Sequence, residues 1–156
     1  MKKIHTLIVA ALLFTIAACT KETAVPVYTP ENNVWLVNSD TFGPAVFTYY
    51  DTANVIHGGL LGKASVTISF GFKPKFDGKY VFREKADEHD EVTVLIVDSI
   101  NRRSWRTTDN DGRAKKEEQF ADITVSGNNV GVKFNNLFLK NINNPDMART
   151  SINISY

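Results

Sequence analysis

The residues able to do chemistry are few, and most stand where a turn would also want them. Thr107-x-Asp109-x-Asp111-Gly112, with Glu118 following the glycine, nearly fits a calcium loop. A hard cation needs converging oxygens, and a glycine to permit the bend. Threonine stands where the first aspartate belongs, and Arg113, Lys115 and Lys116 oppose a cation. The run therefore reads as an Asp-Gly turn between strands. Asp87-Glu88-His89-Asp90-Glu91 sets one imidazole among carboxylates. Consecutive side chains of an extended segment point opposite ways, so they do not converge on a zinc ion. Serines and His57 occur without a Gly-x-Ser-x-Gly elbow, and Asp51, Asp98 and Asp122 have no spacing that pairs them. The expectation is a non-enzymatic protein with no metal and no cofactor. What remains is recognition. Trp35, Tyr49, Tyr50, Tyr80 and Trp105 offer large rigid contact area. Arg103 lies two residues before Trp105, so on a strand the two share a face and suit an anionic or cation–π contact. Trp35, Trp105 and Arg103 are the candidate ligand contacts, for a glycan or a protein.

The single cysteine, Cys19, asks for a use of its own, since one thiol cannot close an intramolecular disulfide. It follows Lys2 and Lys3, an apolar run from Ile4 to Ile16, and the small pair Ala17-Ala18. That is the layout of a secretory signal, and the run is short for a membrane span. Ile16-Ala17-Ala18-Cys19 resembles the lipobox of bacterial lipoproteins. The resemblance implies that the signal, 1–18, is removed and that Cys19 carries diacylglycerol and a further acyl chain such as palmitate. With Thr20 rather than aspartate after the cysteine, it implies the outer membrane. Lys21-Glu22 resembles the export signal of surface lipoproteins, which favours the outer face.

Without the signal, the 18 Lys and Arg become 16, because Lys2 and Lys3 go with it, against 17 Asp and Glu. A net charge near zero provides no field for nucleic acid or an anionic surface. The expected partners are the membrane, through the lipid at Cys19, and an envelope protein or glycan, with no nucleic acid. Residues 19–33 read as the lipidated cysteine and a tether, of which 20–33 contain Pro26 and Pro30 and reach about 45 Å at about 3.3 Å per residue. The domain is expected over 34–156.

Period-two alternation then dominates. Val66, Ile68, Phe70 and Phe72 share one face, and Thr150, Ile152, Ile154 and Tyr156 share another. Val92–Val97 is apolar on both faces and reads as a central strand. Further strands are expected at 34–37, 45–51, 79–84, 104–108, 118–126, 130–134 and 137–139. His57-Gly58-Gly59 and Gly62 read as breaks, and Asn38 to Pro44 as a turn. No window carries a 3.6-residue apolar period. The fold class is all-β, an antiparallel β-sandwich of about nine strands behind a signal peptide and short tether.

Trp35, Gly78-Lys79-Tyr80, Ile123-Thr124-Val125 and Val132–Leu137, in this order, resemble small outer-membrane lipoproteins of the Bacteroidota of unknown function. The resemblance implies the sandwich and the envelope location and carries no known chemistry. The functional expectation is a lipid-anchored envelope lipoprotein acting as a binding module for glycan or protein. The alternative is a structural or assembly component of an outer-membrane complex.

Overall fold

The computed structural model describes residues 30–109 and 118–155. Cys19, the signal and most of the tether lie outside these residues, as do Asp111, Gly112 and Tyr156. The described chain is all-β, as its alternation predicts. Its strands are β1 (Val34–Val37), β2 (Asp40–Phe42), β3 (Val46–Tyr50), β4 (Val55–Leu60), β5 (Ala64–Phe70) and β6 (Gly78–Phe82), then β7 (Glu91–Asp98), β8 (Arg103–Arg106), β9 (Phe120–Ser126), β10 (Asn129–Asn141) and β11 (Met147–Ile154). A single 3-10 turn, Asp51–Ala53, joins β3 to β4. No helix of the described residues is long and apolar enough to cross a membrane.

The strands form one hydrogen-bonded network in the order β2-β1-β11-β10-β9-β6-β7-β5-β4-β3. β8 pairs with both β7 and β10, which closes β6-β7-β8-β10-β9 into a five-strand ring. All pairings are antiparallel except β6 with β7, a short parallel contact at Val81–Phe82. The all-β class is as expected. Among the described residues there are eleven strands against about nine expected, one pair is parallel, and the network includes a closed five-strand ring with two arms. One arm is β11-β1-β2, and the other is β5-β4-β3.

The arms face each other because the chain obliges them to. β2 and β3 end the strand order at opposite edges, yet only Gly43-Pro44-Ala45 separates them. Three residues span little more than about 10 Å, so the two edges must lie close. The Ala45 N–H donates to the Asn33 carbonyl at 3.0 Å. Trp35 of β1 fills the junction. Its ring stacks on Phe42 of β2 at 5.6 Å and meets Phe47 of β3 edge-on at 5.8 Å. The inward faces of the ring and arms form one core, in which Ile56, Val66, Ile68, Val92, Ile96, Leu139 and Ile152 are wholly buried.

Local departures have local causes. The Gly58-Gly59 pair does not break the chain; it lies within β4. A Cβ on Gly58 would overlap the Phe47 ring of the paired strand, so the position needs close approach rather than a turn. The expected turn at 38–44 contains the short strand β2. The two strands expected at 130–134 and 137–139 are one, β10, bent where the register shifts between Phe134 and Leu137. Asn136 there takes φ 56°, a left-handed conformation that asparagine tolerates. Its N–H donates to the Ser151 hydroxyl at 2.9 Å. The run at Val92–Val97 is central, as its composition suggests, but one face is buried and the other half-buried. Residues 30–33, read as tether, are held by β11. Asn33 N–H donates to the Asn153 carbonyl at 2.7 Å, and Asn153 Nδ2 to the Pro30 carbonyl at 3.2 Å.

Candidate binding rim

The turns at one rim of the ring are fixed by side chains rather than by length alone. Asp98 ends β7 and is almost wholly buried. A buried carboxylate is tolerated only when donors surround it. Here Ile100 N–H and Asn101 N–H each donate to Oδ1 at 3.1 Å, and Asn101 Nδ2 donates to Oδ2 at 2.7 Å. The turn between β7 and β8 closes with Arg102 at φ 53°. This places Ile100 outward, 64% exposed.

Two neighbouring connections join it. Ser99 N–H donates to the Lys63 carbonyl at 2.8 Å, which ties the β4–β5 turn alongside. Gly62 takes φ 70° in that turn, and Leu61 at its tip is fully exposed. On the other side Ile142 N–H donates to the Ser104 carbonyl at 2.9 Å. The loop that follows is shaped by its asparagines. Asn141 Oδ1 accepts the Asn143 N–H, and Asn144 Oδ1 accepts the Asp146 N–H, each at 2.9 Å. Ile142 is half exposed. Three aliphatic side chains thus stand on the tips of three adjacent turns.

Two recesses flank these tips. The larger, about 370 Å³, is lined by His57, Leu60, Leu61, Lys63, Ser65 and Ser99 with their neighbouring glycines and Ala64. The smaller, about 280 Å³, is lined by Asn38, Arg103, Trp105, Asn141, Asp146 and Met147.

The three candidate contact residues divide. Trp35 has no exposed surface and serves the core between the arms, so it offers no platform to a ligand. Trp105 is 5% exposed and offers no open ring face. Arg103 is exposed, and the structure does bring it together with Trp105, in the wall of the smaller recess. Tyr80 is buried as well, while Tyr50 lies on the outer face of edge strand β3. The exposed aromatic cluster implied by the five rings does not form around the tryptophans.

The metal and acid–base candidates are dispersed. Thr107 is buried, and its hydroxyl accepts the Val94 N–H at 3.2 Å, continuing the sheet ladder. Asp109 accepts the Glu84 N–H at 3.2 Å, and Glu118 pairs with Arg83 at 3.1 Å. No group of three His, Cys, Asp or Glu among the described residues is placed to hold a metal ion. His57 bonds Thr67 through Nδ1 at 2.9 Å, while His89 stacks on Phe72 at 4.1 Å. Asp51 pairs with Lys73, Asp122 with Lys79, and Asp98 holds its turn. A Cβ on Gly71 would collide with the backbone at Glu88, so this glycine lets the acidic loop lie on the end of β5.

Within that loop Glu91 is a structural acid. Its Oε2 accepts N–H groups from Asp87 at 2.8 Å and Glu88 at 3.0 Å, and Oε1 meets Arg83 Nε at 3.3 Å. The Asp87 N–H is the largest influence holding its carboxyl below the usual glutamate range; burial opposes this, and the Glu88 N–H and Arg83 add to it. Such a group stabilises the fold fully above its unfolded pKa, and that contribution is lost as pH falls through the lowered folded value. Glu91→Ala is expected to cost about 1–3 kcal/mol at neutral pH through lost hydrogen bonds to a charged acceptor. The gap between urea melts of the two proteins should narrow as pH falls below the usual glutamate range and close once it has passed the lowered folded value. A gap that stays constant with pH would refute this role.

Leu61, Ile100 and Ile142 were not legible as a site in the sequence. Ile100 and Ile142 are lone aliphatic residues among turn formers, which is a usable signal, whereas Leu61 follows Leu60. Their adjacency comes only from the pairing of β5, β7, β8 and β10.

A scan against known family models, a search of characterised proteins and a search of solved structures give no match to this chain.

Proposed function

We propose that this chain is a lipid-anchored lipoprotein of the outer membrane, acting as a non-enzymatic binding module whose partner is a protein. The observation that carries the reading is the rim itself. Leu61, Ile100 and Ile142 project from neighbouring turns, held there by the Asp98 bonds and the Ser99 and Ile142 N–H bonds. Aliphatic side chains held out of the core by a built scaffold keep apolar surface in water, and burying it against a partner recovers roughly 25 cal/mol per Å². Side chains of this kind suit a protein surface, because the tips offer apolar area and no donors or acceptors to match hydroxyls. The arms supply the rest of the body, facing across Trp35 and Phe47 as the two layers of a sandwich would.

The test is recovery of cross-linked partners from solubilised envelopes, with wild type beside Leu61→Asp/Ile100→Asp. Both changes are on exposed tips, so melting should be unaffected. The main partner should fall by about tenfold or more, since charging the centre of an apolar contact costs at least the usual anchor energy of about 1–2 kcal/mol. Equal recovery would overturn the reading.

A second reading, a structural or assembly component, is favoured by one feature. β3 ends the sheet order, and its outer face shows Val46 at 83% and Tyr50 at 50% exposure. An edge strand of this kind can accept a strand from another chain. Val46→Lys would then abolish recovery while the rim variant would not.

A further inference from the structure

We infer that the smaller recess beside the rim is a binding site for a single neutral saccharide ring. The inference goes beyond the protein partner proposed for the apolar tips and does not depend on it. The recess lies between the β1–β2 turn, β8 and the β10–β11 loop and has a volume of about 280 Å³. That is at or below the lower end of the roughly 300–1,000 Å³ that larger organic ligands occupy, so one ring fits and an oligosaccharide does not.

Two of its polar groups are fixed before any ligand arrives. Asn141 is buried, and its Oδ1 is engaged by the Asn143 N–H at 2.9 Å. Asn38 Oδ1 is engaged by the Arg149 N–H at 3.0 Å. Both amides are therefore pinned through oxygen, which leaves each Nδ2 as a donor. Arg103 makes no ion pair among the described residues and adds its guanidinium. Asp146 uses its backbone N–H and carbonyl within the loop, and its carboxylate is the acceptor of the set. Trp105 and Met147 complete a lining that is almost wholly polar.

The charge pattern selects the ligand class. Arg103 opposes a cation and Asp146 opposes an anion, so neither a phosphate nor an amine is matched alone. A hydroxyl donates and accepts at once. Vicinal hydroxyls on one ring can accept from the amide and guanidinium donors while donating to the carboxylate. Preorganised donors lose little freedom on binding, which is what a small ligand with few atoms requires.

The test uses the full chain in detergent, labelled with ¹⁵N-tryptophan. The two tryptophans provide one reporter each. The Trp105 indole lines the recess, and the fully buried Trp35 indole, identified by its proximity to Phe42 and Phe47, is the internal reference. The probes are the methyl glycosides of glucose, galactose, mannose and N-acetylglucosamine. Acetate, inorganic phosphate and glycine are the competing chemistries. At least one glycoside should move the Trp105 signal saturably and leave that of Trp35 in place. Arg103→Gln and Asp146→Asn, both at exposed positions, should each weaken that binding by about tenfold, the loss expected for one hydrogen bond to a charged group. No shift with any glycoside, a larger response to acetate, phosphate or glycine, or unchanged binding in both variants would overturn the inference.

Discussion

Trp35→Ala is expected to destabilise the domain by about 3–5 kcal/mol, the usual loss for removing a buried indole. For a domain of this size that corresponds to a fall in melting temperature of roughly 10–20 °C. The reasoning is specific to the position. Trp35 has no exposed surface and is the shared neighbour of Phe42 on β2 and Phe47 on β3. Its loss opens a cavity where the two arms meet. Trp35→Phe should cost much less. The indole Nε1 is buried with no hydrogen-bond partner among the described residues, and phenylalanine removes that unsatisfied donor while keeping an aromatic ring. Thermal melts of the two variants check the ordering. A tolerated Trp35→Ala would mean that the arms are held by other contacts.

Cys19→Ser carries the largest expected effect on location. On the proposed anchor, it should abolish labelling by a fatty-acid analogue and move the protein from the membrane to the soluble fraction. The size of the effect follows from the chains. Each buried methylene contributes about 0.8 kcal/mol, and a second acyl chain turns marginal attachment into stable attachment. Labelling retained in Cys19→Ser would sink the anchor. Loss of labelling with full membrane retention would instead place the hold on a partner, and the rim and β3 variants would then identify it.

The two results are independent because they act on different parts of the chain. Trp35 is decided by packing within the domain, whereas Cys19 lies outside the described residues. A folded Cys19→Ser protein in the soluble fraction is therefore the expected product, not an unfolded one.

The sequence by itself determined the class of the fold. Alternation at 64–70 and 147–154 depends only on neighbours two residues apart, and a half-buried strand imposes that pattern locally. It also determined that Arg103 and Trp105 share a side, since that too is a two-residue relation. Other features were beyond its reach. Gly58-Gly59 looks like punctuation until Phe47 is placed against it, because close approach is a property of two strands. Trp35 and Trp105 carry the same local signal as surface aromatics, and only the closure of the arms and the ring buries them. The closing of the ring depends on β8, four residues that pair with strands on either side, and no periodicity records a second partner. The rim is the clearest case. Leu61, Ile100 and Ile142 are far apart in the chain, and each alone is an ordinary exposed residue. Strand pairing, a long-range choice among competing edges made by core packing, is what sets them side by side.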